Sequence, residues 1–357
     1  MTGKRKPRWA AVRTLGCALL LLLLASSLLE VLARTPGARR LLPAPHRGIN
    51  YWFLDLKLDL LQRFGERGAI DCIFTGHSTV DAAIDPEVFG RHYRRVTGRT
   101  LRSFNLGIAR LDLPSLLILL RIIADPIRPR LVVAGIMADD LLEGRRSAEA
   151  SLAHAPWIRQ RLGDANLEGW LIDHSIAYRY FLRGRLWLEY PSFSRSIRAR
   201  ERETAANGYR NYWNDVSLSR GKRKAPKVSR SAGAARKLRL SAHRLETLDK
   251  IIGFCARRRI GLVWVEMPLA SPLDGGTDGE RAARRRLLDS AAEHIRRRGS
   301  FFLSAEGVDV GADAFWCQRT HMNSAGAERF SSWLGREIGR AVRQGLVRDP
   351  AAAAPAS

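Results

Sequence analysis

The sequence predicts an α/β protein: a three-layer domain with about five mainly parallel strands, preceded by one membrane-spanning helix and interrupted by a large insertion. Three observations predict it. Short apolar runs at 70–75, 101–106, 131–136, 261–267 and 301–303 alternate with helical patterns. Glycine and proline punctuate them: the first run stops at Gly76, the third follows Pro126 and Pro129, and the fourth stops at Pro268. The chain has 357 residues, 46% hydrophobic and 27% charged, which allows a sizeable core and excludes wholesale disorder.

Taken in order, residues 1–13 form a basic tail in which Lys4, Arg5, Lys6, Arg8 and Arg13 have no acidic neighbour. Residues 14–29 carry no charge and 19–24 are all leucine. With Glu30 tolerated near the far end, the apolar stretch 14–33 has about the twenty residues that a bilayer requires. The preceding cations hold the N-terminus on the cytoplasmic side, so everything beyond the span is exported. A cleaved signal peptide is the competing reading, since Ala25, Ser26 and Ser27 offer small residues to a peptidase. Apolar sequence continuing through Leu28, Leu29, Val31 and Leu32 favours an uncleaved anchor whose partner is membrane lipid. Cys17 precedes the leucine run and so does not have the position of a lipoprotein anchor. Four cysteines without a CxxC pair exclude a disulfide-stapled scaffold and a standard zinc ribbon.

Residues 34–67 read as a juxtamembrane linker with Pro36, Gly37, Pro43, Pro45 and Gly48, then a helix over 50–63 with apolar Trp52, Leu54, Leu56, Leu58, Leu60 and Leu61. The α/β domain occupies 68–357. Its first strand leads toward a helix opening at Pro86, which suits a first helical position. A strongly apolar helix follows at 113–123. After Leu142 the alternation breaks, and 143–240 is an insertion with an aromatic-rich part and a basic part. A lid over the site is the natural role for the aromatic part. Helices at 241–258, 279–298 and 324–342 complete the pattern, followed by an Ala-rich tail.

The formal charge of +25 invites a nucleic-acid reading, but the charge is clustered. Besides the N-terminal tail, nine cations between Arg220 and Arg239 occur without an acid and without an aromatic residue on which a base could stack. That stretch reads as a solvated loop, or as a contact for anionic headgroups or an acidic polysaccharide; no nucleic-acid partner is expected.

Three strand ends carry residues with chemical potential. Thr75-Gly76-His77-Ser78-Thr79 places Ser78 just past an apolar strand, where a tight turn can expose a nucleophile; the alternative is a turn serine capping the next helix. His77 beside it reads as a turn residue. Phe104-Asn105-Leu106-Gly107 offers an amide donor and a glycine N–H that could hold an oxyanion, or an ordinary strand-to-helix turn. His321-Met322-Asn323-Ser324 puts a histidine immediately before a helix whose stripe is Phe330, Trp333, Leu334, Ile338 and Val342. No histidine, aspartate or glutamate cluster has metal-ligand spacing and no Gly-rich phosphate cradle appears, so neither metal nor cofactor is expected.

The order G-x-S, N-x-G and C-terminal H-x-N-x-x-G-x-x-x-F-S, with Ile84-Asp85-Pro86 and Glu266-Met267-Pro268, resembles the SGNH (GDSL-type) hydrolase superfamily over 68–142 and 241–342. The membrane-anchored branch of DltD-like and AlgX-like proteins is the nearest likeness. The resemblance implies a flavodoxin-like three-layer domain and acyl-ester chemistry on envelope or exopolysaccharide glycans. Ser78 would be nucleophile and His321 its base. The N–H groups of Ser78 and Gly107, with the Asn105 side chain, would bind the oxyanion. It further implies a bacterial cytoplasmic-membrane protein with its main domain periplasmic or extracellular, and polysaccharide and envelope-biosynthesis proteins as partners.

Two positions depart from the pattern. Where the family places Asp three residues before the histidine, this chain has Gln318; Asp313 in the same loop is the candidate third member. Residues 135–140 lack the family's asparagine, and Asp139 or Asp140 reads as a helix cap. A catalytically inert protein of the same fold that binds glycan or scaffolds an assembly is therefore the alternative to an esterase or O-acyltransferase.

Overall fold

A computed structural model of the chain describes residues 8–35, 37, 42, 44–49, 51, 53–142, 152–210, 240–269, 278–310, 315–318 and 320–350. Trp52, the basic stretch 220–239 and Asp313 lie outside them. The chain forms two compact units, Met1–Ile49 with Ala155–Arg198, and Asn50–His154 with Ala199–Ser357.

The larger unit is built on five parallel strands: β1 (Cys72–Gly76), β2 (Ser103–Gly107), β3 (Leu131–Ile136), β4 (Gly261–Glu266) and β5 (Phe301–Leu303). Their order is β2-β1-β3-β4-β5. β1, β2 and β3 are buried at every residue, as a sheet covered on both faces requires. The first two strands start two residues later than the apolar runs predict, because Asp71 and Arg102 engage in entry hydrogen bonds before the ladder begins: Arg102 N–H donates to Asp71 Oδ2 at 2.9 Å.

The helices are α2 (Leu54–Glu66), α3 (Ser78–Ala83), α4 (Pro86–Thr97), α5 (Leu113–Ile127), α10 (Ala242–Arg257), α11 (Asp278–Arg297) and α12 (Ser324–Arg343). α4 and α12 pack on each other against one face of the sheet, where Phe74, Val133 and Val263 meet Phe89, Tyr93, Phe330, Trp333, Leu334 and Ile338. The spacing of three and four along 324–342 predicts that stripe, and Phe330, Leu334 and Ile338 are fully buried. α5 and α10 pack together, and α10 meets β4. Burying each such aromatic or aliphatic side chain stabilises the fold by about 1.5–3 kcal/mol.

The sheet order reverses beside β1, so the carboxyl ends of β1 and β3 frame the crevice where ligands of open α/β sheets bind. A short antiparallel hairpin, β6 (Trp316–Gln318) and β7 (His321–Met322), leads into α12. Neither this hairpin nor the one-turn helix α3 is visible in the sequence pattern, being too short for any periodicity.

The smaller unit holds α1 (Arg8–Arg34) and, from the insertion, α6 (Pro156–Arg161), α7 (Leu167–His174), α8 (Ile176–Glu189) and most of α9 (Pro191–Glu203). Within α1, residues Ala11–Arg34 are long and apolar enough to cross a membrane, a property shared with signal sequences; residues 11–29 are exposed and Ala33 is buried.

Candidate functional site

Ser78 is the first residue of α3, two residues beyond the end of β1, and is half-buried. The turn that puts it there depends on Gly76, whose φ of +142° suits glycine and whose added Cβ would lie 2.8 Å from Val80 Cγ2. His77 caps the helix. Its Nδ1 accepts from the Thr79 N–H at 3.3 Å and lies 2.7 Å from Thr79 Oγ1. An accepting Nδ1 puts the proton of the neutral ring on Nε2, which lies 3.2 Å from Asp140 Oδ2, at ion-pair distance but without hydrogen-bond alignment. Asp140 also accepts the Met137 N–H at 3.0 Å, so it closes the short turn after β3, as a cap does. His77 is more than a turn residue: it is buried and joins the ends of β1 and β3.

Asn105 and Gly107, the expected oxyanion donors, have protein partners in the structure. Asn105, fully buried, donates its amide to the carbonyls of Val80 at 2.9 Å and Ile84 at 2.6 Å. Its Oδ1 accepts the Gly107 N–H at 2.8 Å. Both amide protons thus fasten α3 to β2, and the glycine N–H holds the amide oxygen within β2. Gly107 is needed for close approach, since an added Cβ would stand 2.3 Å from the Asp81 nitrogen. Ser331 ties the far end of α3 to α12, donating to Ala83 O at 3.1 Å and accepting the Asp85 N–H at 2.8 Å.

Beneath α3 lies a charge cluster that the sequence reading misses. Lys57 of α2 is buried, and its Nζ donates to Asp81 Oδ1 at 2.6 Å, to Asn105 O at 3.1 Å and to Gly208 O. Burial pulls the Lys57 pKa down while the Asp81 carboxylate opposes the fall. Arg200 approaches the second Asp81 oxygen at 3.5 Å and lies over the Phe53 ring at 4.2 Å. The one available signal was the alternation of leucine with charge in Leu54-Asp55-Leu56-Lys57-Leu58-Asp59.

His321 opens β7, and β7 packs against α3, so the structure brings the histidine strand to the serine helix. Its Nδ1 lies 3.0 Å from Thr320 Oγ1. Burial, then the neighbouring His77, pushes its pKa down to about 4, with Asp81 opposing and Arg200 adding to the fall. The ring is accordingly neutral at pH 7 and able to accept a proton. Gln318 pairs with His321 across the hairpin. Asn323 caps α12, its Oδ1 accepting the Gly326 N–H at 3.0 Å. Among the described residues no three His, Cys, Asp or Glu side chains come together as a metal-ligand set.

No family model matches the chain, and no curated protein sequence matches it. Solved structures do show similarity. A lipase/acylhydrolase from Enterococcus faecalis is 14% identical, with 80% of this chain and 100% of that one covered and a TM-score of 0.38. An inhibitor-bound aryl esterase from M. smegmatis is 11% identical over 77% of this chain and 99% of that one, TM-score 0.35. An alpha/beta hydrolase enzyme from the metagenome of Lake Arreo, Spain, is 12% identical over 76% and 97%, TM-score 0.34. These neighbours are hydrolases; similarity at this level assigns neither activity nor substrate to this chain.

Proposed function

We propose that the chain is a membrane-anchored serine acyl-ester enzyme of SGNH type, an esterase or O-acyltransferase that modifies envelope or exopolysaccharide glycans outside the cytoplasmic membrane. The observation that carries the reading is the meeting of two strand ends: Ser78 on α3 just past β1, and a neutral, half-buried His321 on β7 packed against α3. In the proposed reaction the Ser78 hydroxyl attacks the ester carbonyl while His321 takes its proton, then returns one to the departing alkoxide. The Ser78 N–H is the remaining oxyanion donor of the expected set, Asn105 and Gly107 being engaged. Water or a sugar hydroxyl then accepts the acyl group from Ser78, activated by the same imidazole. Asp313 stays the proposed third member for lack of a family carboxylate at Gln318.

The test uses full-length protein in detergent micelles with p-nitrophenyl acetate and a hexose oligosaccharide. Acetylated oligosaccharide, detected by mass and lost in Ser78→Ala, supports transfer; acetate release alone supports an esterase. Neither product, from folded protein, contradicts both.

A second reading, a catalytically inert glycan-binding or scaffolding protein, is favoured by one observation: the Asn105 amide donates to α3 and the Gly107 N–H to Asn105, which leaves those donors committed. It predicts oligosaccharide binding that Ser78→Ala leaves unchanged.

A further inference from the structure

The end of α1 is joined to the insertion by one carboxylate. Glu30, the sole acid between Ala11 and Arg34, accepts the Ser175 hydroxyl at 2.8 Å and the N–H groups of Ile176 and Ala177 at 3.0 Å each. These are first-turn donors of α8, which have no partner inside their own helix. Arg34 completes the joint, donating to Glu30 Oε1 at 2.7 Å and to His174 O at 3.1 Å. A charge near the end of an apolar span is thereby spent on holding a second helix.

α8 buries one side and exposes the other. Leu182 and Leu186 are buried, whereas Phe181 is 60% exposed and Leu188, seven residues on, 74%. With Ala177 and Gly184 these make an uncharged stripe at helical spacing, flanked by Trp187, and Tyr190 follows, both exposed. On α7, Leu167 and Trp170 stand three apart and are likewise exposed.

We propose that this exposed face of α7 and α8 rests in the headgroup boundary of the bilayer that α1 spans, so that this part of the insertion is a membrane-surface platform. Continuity with the anchor selects lipid as the occupant. Residues Ala11–Arg34 extend about 36 Å at 1.5 Å per residue, against a hydrocarbon core of about 30 Å. Glu30 in the last turns therefore sets the start of α8 at the level where hydrocarbon gives way to headgroups. Tryptophan and tyrosine favour that level, and a helix with an apolar stripe lies in its plane. The inference rests on the proposed reading of α1 as an uncleaved span.

The test places benzoylphenylalanine at Phe181, at Leu188 or at the exposed Lys250 of α10 in the full-length protein, reconstituted in phosphatidylethanolamine–phosphatidylglycerol vesicles with tritiated lipid. Irradiation should put at least about tenfold more lipid on positions 181 and 188 than on 250. Equal labelling, or crosslinks from 181 and 188 to a second copy of the chain, overturns the platform. The same samples are read by intact mass: a chain cut before Glu30 and released from the vesicles contradicts the anchor itself, whereas an intact, retained chain without lipid adducts contradicts the platform alone. Glu30→Ala should keep the anchor while cutting the adduct at 181 several-fold; an unchanged adduct overturns the role given to Glu30.

Discussion

Ser78 and His321 are held in place by different means. The serine stands at the sheet's carboxyl edge: Gly76 sets the turn, Asn105 fastens α3 from β2 while Gly107 orients its amide, Ser331 ties α3 to α12, and the Lys57–Asp81 pair lies buried beneath. The histidine stands on a two-residue strand in a short hairpin, with a threonine hydroxyl 3.0 Å from its Nδ1. The difference teaches where the fold spends its polar groups. Positioning of Ser78 engages the Asn105 amide, whereas the hydroxyl beside His321 Nδ1 comes from the neighbouring residue, Thr320.

The largest effect expected from breaking this arrangement is on chemistry. Ser78→Ala and His321→Ala should each lower p-nitrophenyl acetate turnover by about 10⁴ or more, and the double variant should be no worse than either single one, because the two act as a unit. Additive losses would separate the two sides and contradict the pairing.

Next comes the charge under the serine helix. Lys57→Met leaves Asp81 as a buried carboxylate without its closest cation and should destabilise the fold by about 3–5 kcal/mol by denaturant titration, with Arg200 at 3.5 Å moderating the loss. Replacing both Lys57 and Asp81 by apolar residues should recover much of it. Asn105→Ala should cost about 1–3 kcal/mol, because the Ile84 carbonyl loses its amide donor and the Val80 carbonyl is left with the Ile84 N–H. If Asn105→Ala instead leaves stability intact and removes only turnover, the amide is a catalytic donor after all.

The pH dependence sharpens the other side. His321 titrates at about 4 in the folded chain, below its ordinary value near 6.5, so the acid limb of kcat/KM should fall near pH 4. Between those two values the unfolded chain binds the proton and the folded one does not. Stability therefore rises with pH across that window, and His321→Asn should flatten the corresponding slope in a series of thermal melts. The smallest effect is at the cap: Asn323→Ala should cost about 1 kcal/mol in α12 stability, measured by calorimetry.

Much of this was legible in the sequence. Continuous apolar runs gave the five strands, Pro86 opened its helix, and the three-and-four spacing at 330–338 gave the face of α12. Ser78 and His321 stood out because each is a chemically capable residue at a strand end or just before a capped helix. What could not be read depends on distant chain. Asn105 and Gly107 have the composition of an oxyanion hole, and only the approach of α3, with Asp81 against Gly107, shows their hydrogen bonds turned inward. The Lys57–Asp81 pair joins residues 24 apart through two helices, and the Glu30 joint links α1 to a helix 145 residues away. Neither leaves a periodic trace, because a buried charge is defined by its partner and not by its own neighbours in sequence.

The most direct test of the central claim is covalent. Full-length protein in micelles is treated with a fluorophosphonate, and intact mass is compared for the wild type, Ser78→Ala and His321→Ala. A serine activated by His321 predicts one adduct per wild-type chain, mapped to Ser78 by peptide mass and absent from both variants. Folded wild-type protein that takes up no adduct, or an adduct that persists in Ser78→Ala, would contradict it.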